Sequence, residues 1–569
     1  MKKSVIEFKN FNFKYHVQSS PTLKDINLTI YQGEKVLIVG PSGSGKSTIG
    51  NCINGLIPHV YKGDTSGDLI IEGIDVKNSS VFELSKKVGT VLQDPDGQFL
   101  GLNVGEDIAY VLENNMEPLD IMKQKVLDVS KLVDMDNMLN VNPFELSGGQ
   151  KQRVGLAGIM VNDVDILLFD EPLASLDPKT GEVAIELIDN LHKKDKTIII
   201  IEHRLEDVLH CSVDRIVVVN DGCIIADDTP DNILKSDILI KHGIREPLYL
   251  TACKYANVNL NNLNKIDNVN NLDISKIKDN LNTWYKANKK QAEEHNKDII
   301  LKIDNVNFSY ESNKKILNNI NCNIYSGEML SIIGKNGAGK STLSKIIVGF
   351  EKQDSGNLYL NETEISKLNV TQRAKDIGIV LQNPNQMISK NMIYDEVALG
   401  LVFRKVPDEE IKERVTKVLD ICGLSPYISW PISALSYGQK KRVTIASILV
   451  LNPKIIILDE PTAGQDFYHY TEIMKFLEKL NKNGQTIVLI THDMHLMLEY
   501  TNRAIALCDS EKIADKESYK VLCDQAIVER TNLKETSLFR LAKMANISDP
   551  EDFVKCFIDY DREVRRYEN

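Results

Sequence analysis

The stretch GPSGSGKST, residues 40–48, decides the fold of this chain. It follows the apolar run VLIV, opens a helical pattern and fits the phosphate-binding loop G-x-x-x-x-G-K-[ST]. Glycines in such a loop let successive main-chain N–H groups point at a phosphate, and the helix N-terminus adds positive potential. We predict that Lys46 reaches the β- and γ-phosphates of a nucleotide and that Ser47 ligates Mg²⁺.

The chain of 569 residues carries this loop twice, because GKNGAGKST at residues 334–342 repeats it with Lys340 and Ser341. Further matched pairs follow in the same order: FKNFNFKY (8–15) with IDNVNFSY (303–310), VLQDPDGQ (91–98) with VLQNPNQM (380–387), LSGGQ (146–150) with LSYGQ (435–439), LLFDEP (167–172) with IILDEP (456–461), and IIEH (200–203) with LITH (489–492). Repeats in one order indicate a duplicated unit. The fold class predicted is α/β, with two tandem copies of one nucleotide-binding module built on a parallel sheet.

Two carboxylates follow the same buried strand in each half, Asp170 with Glu171 and Asp459 with Glu460. An aspartate at the end of such a strand can orient Mg²⁺, and the next carboxylate can polarise an attacking water. The alternative for an isolated pair is a solvated acidic turn. Beside a phosphate loop in the same module, we predict catalytic carboxylates.

Histidines and glutamines complete the predicted catalytic set. His203 and His492 each follow a β-branched strand, and we predict that each contacts the γ-phosphate and positions the water; a structural histidine is the alternative. Gln93 and Gln382 come just after strands, where a glutamine can reach the metal and the water while its loop faces a neighbouring lobe. An ordinary surface glutamine is the alternative.

Tyr15 and Tyr310 lie 25 and 24 residues before their phosphate loops. Each tyrosine could stack on adenine, or it could be a strand aromatic that faces the core.

The LSGGQ turn has a different expected role, because a Ser-Gly turn at a helix N-terminus can bind a γ-phosphate that another module presents.

Composition and apolar patterning argue against other classes of protein. The net charge is −12 and the sequence pI is about 5.5, which argues against a dedicated nucleic-acid binder with a basic face. The start MKKSVIEFKNFNF has no apolar core of a signal peptide. The longest apolar runs have the length of a strand, well short of the roughly 20 residues that span a bilayer. Any action at a membrane is therefore expected to go through partners.

We expect domains at residues 1–251 and 298–569, joined by a linker at 252–297. The linker is rich in Asn and Lys and lacks a convincing buried face, with a short helix around 273–285. From about residue 515, amphipathic patterns predict a C-terminal helical extension that is broken near Asp549-Pro550.

In their order and their duplication, these motifs resemble the ATPase modules of the ABC superfamily over nearly the whole chain apart from the linker. The resemblance implies a RecA-like parallel-sheet core, a β-subdomain and a helical signature subdomain in each module. It also implies that the two halves form the ATPase dimer head to tail within one chain, with two ATP molecules between them. The first site would then be completed by Ser436 and Gly438, and the second by Ser147 and Gly149.

The second signature departs from the family pattern, since Tyr437 replaces the first glycine. The segment SLDP (175–178) also becomes GQDF (464–467), although it keeps its aspartate as Asp177 and Asp466. Both halves retain the carboxylate and the histidine. We therefore expect two competent but unequal sites, with ATP hydrolysis at both.

The predicted site residues fall into three groups. The predicted catalytic residues are Glu171, His203, Glu460 and His492. The predicted Mg²⁺ ligands are Ser47, Gln93, Asp170, Ser341, Gln382 and Asp459. The predicted ATP-binding residues are Tyr15, Gly40, Pro41, Ser42, Gly43, Ser44, Gly45, Lys46, Ser47, Thr48, Gln93, Ser147, Gly149, Gln150, Tyr310, Gly334, Lys335, Asn336, Gly337, Ala338, Gly339, Lys340, Ser341, Thr342, Gln382, Ser436, Gly438 and Gln439.

Within the superfamily, the chain looks most like the fused ATP-binding subunit of energy-coupling-factor importers of the cobalt and vitamin type. The segments that carry this likeness are the two glutamine motifs, NVGEDIAY (103–110), MIYDEVALG (392–400), GIREPLYL (243–250) and LKETSLFRLAKMANISDPEDFVKCFI (533–558). It implies ATP and Mg²⁺ as cofactors, with an integral-membrane scaffold subunit and a small substrate-capture membrane subunit as partners. The chain would act at the cytoplasmic face of a prokaryotic cell membrane, in uptake of a vitamin, a vitamin precursor or a transition-metal ion. The alternative is a soluble tandem ABC ATPase that acts on the ribosome, although such proteins usually have a longer, basic helical linker.

Overall fold

A computed structural model describes residues 2–16, 18–92, 95–174, 176–290, 298–311, 314–462 and 467–567. The chain divides into two compact units, one made mainly of residues 1–281 and the other mainly of residues 282–569. Among the described residues, each unit has a four-stranded antiparallel sheet and a six-stranded, mostly parallel sheet. The predicted fold class, two tandem α/β modules, is confirmed.

The first unit begins with β1 and β2 of its antiparallel sheet, enters the large sheet with β3, and returns to the antiparallel sheet for β4 and β5. Its strands are β1 (Ser4–Tyr15), β2 (Leu23–Tyr31), β3 (Lys35–Val39), β4 (Gly63–Ile71), β5 (Ile74–Asp75), β6 (Val88–Val91), β7 (Ile166–Asp170), β8 (Thr197–Ile201), β9 (Arg215–Asn220) and β10 (Cys223–Asp228). Its helices are α1 (Lys46–Ile53), α2 (Leu56–His59), α3 (Val81–Ser85), α4 (Val104–Asn114), α5 (Leu119–Leu132), α6 (Gly148–Met160), α7 (Pro178–His192), α8 (Leu205–Val208), α9 (Pro230–Lys235), α10 (Ile238–Lys241) and α11 (Leu248–Tyr255).

The strand order of the large sheet, β10-β9-β3-β8-β7-β6, positions the candidate site. Strands β3, β8 and β7 are parallel neighbours, and nearly all of their side chains are buried because helices cover both faces of such a sheet. The carboxyl ends of parallel strands meet at one edge. The phosphate loop, the Asp170–Glu171 pair and His203 therefore come together although they are far apart in sequence.

The second unit repeats this plan, with strand orders β12-β11-β14-β15 and β16-β17-β18-β13-β19-β20. Its strands are β11 (Ile299–Glu311), β12 (Lys314–Tyr325), β13 (Met329–Ile333), β14 (Ser355–Leu360), β15 (Thr363–Glu364), β16 (Ile377–Val380), β17 (Ile455–Asp459), β18 (Thr486–Ile490), β19 (Arg503–Cys508) and β20 (Glu511–Glu517). Its helices are α12 (Lys278–Asn288), α13 (Lys340–Val348), α14 (Val370–Arg373), α15 (Ile393–Phe403), α16 (Asp408–Ile421), α17 (Tyr437–Leu449), α18 (Phe467–Lys482), α19 (Met494–Tyr500), α20 (Ser518–Cys523), α21 (Gln525–Thr531), α22 (Ser537–Met544) and α23 (Pro550–Tyr567).

A helical subdomain precedes the signature helix in each unit. Helices α4, α5 and α6 pack together in the first unit, as α15, α16 and α17 do in the second. The second subdomain has its own apolar core, in which Val397, Leu401, Val415 and Val443 are fully buried. The signature turns thus begin helices that belong to these subdomains and that also contact an edge strand of the large sheet, β6 or β16.

The expectation that residues 252–297 lack a buried face is wrong. Apolar residues recur there at every third position and are buried: Leu260, Leu263, Ile266, Val269 and Leu272. Three 3₁₀ turns, Leu260–Asn262, Val269–Asn271 and Ile274–Lys276, accompany this spacing, which suits a helix with three residues per turn. A search for a period of 3.6 or 2 misses it.

The first part of this stretch packs on the first unit through named contacts. The hydroxyl of Tyr249 donates to the carbonyl of Ile266 over 2.7 Å, and the amide of Asn268 donates to the carbonyl of Leu209 over 3.0 Å. The later helix α12 belongs mainly to the second unit, where Trp284 packs edge-on against Phe553 of α23. In the part of the chain that the structure describes, no helix is long and apolar enough to cross a membrane.

Candidate active sites

The first phosphate loop lies between β3 and α1 and is shaped by its glycines. Gly45 precedes α1 with φ 106°, in the left-handed region that favours glycine. A Cβ on Gly40 would lie 2.1 Å from the carbonyl oxygen of Val219, so only glycine fits there. The buried ammonium of Lys46 donates to the carbonyls of Gly40 (2.7 Å) and Pro41 (2.8 Å). The loop therefore curls around its own lysine.

The second phosphate loop has the same geometry between β13 and α13. Gly339 precedes the helix with φ 96°, and a Cβ on Gly334 would lie 2.2 Å from the carbonyl oxygen of Leu507. The ammonium of Lys340 donates to the carbonyls of Gly334 (2.7 Å) and Lys335 (3.0 Å). The duplicated sequence thus gives two equivalent cradles, one in each unit.

A serine hydroxyl meets a carboxylate beside each loop. The hydroxyl of Ser47 donates to Oδ1 of Asp170 over 3.2 Å, at the end of β7. Burial, helped by the neighbouring charge of Glu171, raises the pKa of Asp170 to about 6. Burial likewise raises the pKa of Asp459, and the hydroxyl of Ser341 opposes that shift. Each predicted Mg²⁺ position therefore offers one hydroxyl and one carboxylate.

In the first unit the candidate catalytic glutamate and histidine stand apart. Nδ1 of His203 lies 3.9 Å from Oε1 of Glu171 and 3.5 Å from Oε2 of Glu202, a carboxylate with no exposed surface. Burial raises the pKa of Glu171; the charge of Glu202 raises it further and His203 opposes the shift. The first site thus holds an additional carboxylate beside the predicted pair.

In the second unit the same two groups are in direct contact. Nδ1 of His492 lies 2.8 Å from Oε1 of Glu460, and the hydroxyl of Thr491 donates to Oε2 of Glu460 over 3.3 Å. Burial alone would raise the pKa of Glu460, but His492 and Thr491 hold it below its usual value. The two units therefore differ in how the glutamate is held.

Both signature turns are capped helix N-termini within their own units. The amide of Gln150 donates to the hydroxyl oxygen of Ser147 (3.4 Å), and the side-chain oxygen of Gln150 accepts from the amide of Ser147 (3.0 Å). Ser436 and Gln439 repeat this capping box at 3.3 and 2.9 Å. Helices α6 and α17 thus begin at the predicted serines.

The tyrosine of the second signature contacts the glutamine segment of its own unit. The hydroxyl of Tyr437 donates to the main-chain carbonyl of Gln382 over 3.2 Å. One turn later the ammonium of Lys441, with 1% of its surface exposed, donates to the carbonyls of Leu381 (2.9 Å) and Gln382 (2.8 Å). Burial lowers the pKa of Lys441 to about 8. Two side chains of α17 therefore hold the glutamine segment.

The structure gives a different outcome for each of the predicted glutamines and tyrosines. Gln93 lies outside the described residues, whereas Gln382 is described and exposed. The ring of Tyr15 packs edge-on against Phe13 and against the apolar core of its unit, which favours the core-aromatic alternative there. Tyr310 has 53% of its surface exposed. A stacking role on adenine stays a prediction for both tyrosines.

Of the two aspartates that follow the catalytic carboxylates, the structure describes Asp177. Asp177 begins α7 and accepts from the amide of Thr180 over 2.9 Å. Asp466 lies outside the described residues.

Two features of the sites were missed in the sequence. When the two repeats are aligned, Glu202 in IIEH corresponds to Thr491 in LITH. In the helix after each signature, Gln152 of the first repeat corresponds to Lys441 of the second. The sequence signal for both features was a residue mismatch at corresponding positions of two otherwise similar repeats. Its meaning depends on contacts between segments that are distant in sequence, such as Glu202 with the amide of Leu173.

Comparison with known proteins agrees with this geometry. A family model described as ABC transporter matches residues 23–174 and 317–463, and one described as ATP-binding cassette cobalt transporter matches residues 236–308. An ABC transporter ATP-binding protein of Clostridium perfringens is 59% identical, covering 99% of this chain and 100% of the relative; one of Enterococcus faecalis is 54% identical with the same coverage. The solved structure of CbiO1 from Clostridium perfringens, described as part of the ABC transporter complex CbiONQ, is 35% identical and covers 44% of this chain and 99% of its own length, with a TM-score of 0.39.

The ABC transporter model matches once in each unit, and each match contains the phosphate loop, the signature turn and the carboxylate pair described above. The relatives align from end to end with both modules. This chain therefore belongs to the ABC transporter family, as an ATP-binding protein with two modules in one polypeptide that acts as the ATPase of a transporter.

Proposed function

We propose that this chain is the fused ATPase of an energy-coupling-factor type importer for a vitamin, a vitamin precursor or a transition-metal ion. The observation that carries the proposal is the match of residues 236–308 to a family described as ATP-binding cassette cobalt transporter. All of this stretch lies outside the two ABC transporter matches, and residues 260–272 of it pack on the first unit through their three-residue apolar repeat. Residues 260–272 of this family match are thus a built part of the first module.

The residues at each phosphate loop suit Mg²⁺ with ATP. Ser47 and Asp170 offer oxygen donors 3.2 Å apart, and Mg²⁺ prefers oxygen ligands. Among the described residues, no cluster of three or more His, Cys, Asp or Glu could hold a metal alone, which fits an ion that takes its remaining ligands from phosphates and waters. When bound, Mg²⁺ would neutralise charge on the β- and γ-phosphates. Ser341 and Asp459 would hold it in the second module.

The chain's own side chains would then carry out hydrolysis. Lys46 and Lys340 would leave the carbonyls of their loops for phosphate oxygens, which are stronger acceptors for an ammonium. Glu171 and Glu460 would accept hydrogen bonds from the attacking water and orient it. His203 and His492 would contact the γ-phosphate.

We infer that each signature turn completes the site of the other module. A serine hydroxyl that accepts from the third amide of its helix still carries its own hydrogen, which a phosphate oxygen can accept. Helices α6 and α17 each have 13 residues, and their N-termini favour an anion. Ser436 and Gly438 would serve the first nucleotide, and Ser147 and Gly149 the second. ATP binding would close the modules, and hydrolysis would let them reopen.

Exposed apolar side chains of the helical subdomains offer surfaces for membrane partners. Leu102 of the first unit has 80% of its surface exposed, and Phe403 of the second has 78% exposed. Both lie within the helical subdomains or at their start. Such apolar exposure marks interaction sites. We propose that these surfaces bind helices of an integral-membrane scaffold, which in turn holds a small substrate-capture subunit at the cytoplasmic face of the membrane.

Affinity capture of the tagged chain from its own cells in mild detergent tests this proposal. Recovery of a multi-span scaffold and a small hydrophobic subunit is expected, followed by a ligand assay on the small subunit. The Leu102→Asp and Phe403→Asp variants should lose both partners while keeping ATP binding; Ile240→Asp, an exposed apolar control on α10, should keep them. Recovery of ribosomes without membrane proteins would overturn the importer and favour a translation factor.

A further inference from the structure

A buried carboxylate connects two segments of the first active site. Glu202, which has no exposed surface, immediately precedes His203. Its Oε1 accepts from the amide of Leu173 (3.1 Å), and its Oε2 accepts from the amides of His203 (2.7 Å) and Arg204 (3.0 Å). One side chain thus ties the loop that follows Glu171 to the segment that carries the histidine.

The guanidinium of Arg204 strengthens the same connection. It donates to the carbonyl of Leu173, so both main-chain polar groups of this loop residue are held by the histidine segment. The carboxylate of Glu202 therefore accepts hydrogen bonds from three main-chain amides, those of Leu173, His203 and Arg204.

The second module has a different arrangement at the matched positions. Thr491 stands where the first module has Glu202, and its hydroxyl donates to Glu460 over 3.3 Å while accepting from the amide of Asp493 over 2.9 Å. A hydroxyl can donate to the catalytic glutamate, whereas a carboxylate can only accept. Asp493 replaces the arginine of the first module and caps α19. The exchange is therefore double, on both sides of the histidine.

The histidine–glutamate distances follow this exchange. Nδ1 of His492 lies 2.8 Å from Glu460, and Nδ1 of His203 lies 3.9 Å from Glu171. We propose that Glu202 is a positioning residue of the first ATPase site: it clamps the loop after Glu171 to the backbone of His203 and keeps that histidine apart from Glu171. The two sites then cleave ATP with differently held glutamates, and in the exchange of Glu202 for Thr491 the residue of each module contacts the glutamate or the loop after it.

The test reads the first site alone, in the full chain carrying Glu460→Gln. Single-turnover cleavage of MgATP by excess chain gives a maximal rate constant and a half-saturating concentration. Glu202→Thr, which installs the residue of the second module, should lower the maximal rate constant about 10-fold, because small displacements of catalytic groups are costly. The half-saturating concentration should change less than about twofold, since the phosphate loop is untouched.

Two further variants separate positioning from folding. Glu202→Gln keeps the shape and one acceptor oxygen, so it should restore at least a third of the lost rate and remains informative if Glu202→Thr folds poorly. Glu34→Gln is the matched control: Glu34 is also buried and accepts from a main-chain amide, that of Tyr31, but it lies at the other end of β3. It should lower the melting temperature without slowing cleavage.

The reciprocal change, Thr491→Glu, is read in the chain carrying Glu171→Gln and should slow cleavage at the second site. The proposal is overturned if Glu202→Thr and Glu202→Gln melt earlier, as the control does, but cleave at the parent rate. It is also overturned if the Glu460→Gln parent cleaves no ATP, because the first site would then have no turnover for Glu202 to set.

Discussion

The hydroxyl of Tyr437 donates a hydrogen bond to the main-chain carbonyl of Gln382 over 3.2 Å, and the ammonium of Lys441 donates to the same carbonyl over 2.8 Å. Tyr437 occupies the position of Gly148 in the first signature. The tyrosine therefore contributes a contact that glycine cannot make. The LSYGQ signature and the helix it begins are thus hydrogen-bonded to the glutamine segment of their own module, and we expect the two segments to move together.

Removing this hydroxyl should have a small effect. Tyr437→Phe deletes one part-exposed hydrogen bond, whose net contribution to stability is about 0.5–1.5 kcal/mol. We expect a slightly lower melting temperature and two- to threefold slower ATP turnover, measured in steady state. Tyr437→Gly restores LSGGQ and should remain active. Complete loss of turnover in Tyr437→Phe would show that the hydroxyl does more than hold this segment.

Lys441 should contribute more to the stability of the second module than the adjacent Lys440 does. Lys441→Met removes a charged donor from two main-chain carbonyls, and we expect a loss of about 2–3 kcal/mol in the unfolding free energy of the second module. Lys441→Gln, which copies Gln152 of the first module, should lose less because it keeps an amide donor. Lys440→Met serves as the adjacent control in thermal melting. Equal effects of Lys440→Met and Lys441→Met would contradict the clamp.

Both sites are expected to hydrolyse ATP. Glu171→Gln and Glu460→Gln each remove one predicted catalytic carboxylate, and each should lower steady-state turnover by at least several-fold. The double variant should have no measurable turnover but should still bind ATP. If one single variant turns over ATP at the wild-type rate, the site that it alters is degenerate.

The phosphate loops and the sheet edge could be predicted from sequence because both obey local rules. Gly45 and Gly339 stand where the chain needs a left-handed residue before a helix, and apolar runs followed by carboxylates indicate parallel strands. Residues 260–272 escaped prediction because their apolar period is three, which matches neither a long helix nor a strand. Glu202 was visible as a mismatch between repeats, but its role depends on Leu173, 29 residues away.

The glycines of the first phosphate loop should differ in their tolerance of a methyl group. Gly40→Ala places a Cβ 2.1 Å from the carbonyl of Val219, so the backbone must move. We expect a marked fall in melting temperature and loss of ATP binding. A Cβ on Gly43 would have no atom within 4 Å, so Gly43→Ala costs only the left-handed backbone strain at a φ of 76°, about 1–2 kcal/mol. Similar melting temperatures for both variants, without nucleotide, would refute this difference.

The C-terminal helix should stabilise the histidine segment of the second module. Arg565 of α23 pairs with Glu499 (2.9 Å) and Asp561 (2.8 Å), and both carboxylates are buried. Glu499 lies in α19, which begins two residues after His492. Arg565→Met would leave two buried carboxylates without this cation, and breaking such a pair costs about 3–5 kcal/mol.

We therefore expect Arg565→Met to lower the melting temperature and also to slow cleavage at the second site, read in the Glu171→Gln chain. The control is Arg540→Met, since Arg540 of α22 makes a more exposed ion pair with Glu535, in the loop that precedes that helix. A surface pair of this kind contributes about 1 kcal/mol or less. If Arg565→Met destabilises the chain but leaves second-site cleavage unchanged, the extension supports folding alone. A loss of both, at a temperature where the variant remains folded, means that α23 holds α19, and with it His492, in the geometry that cleavage requires.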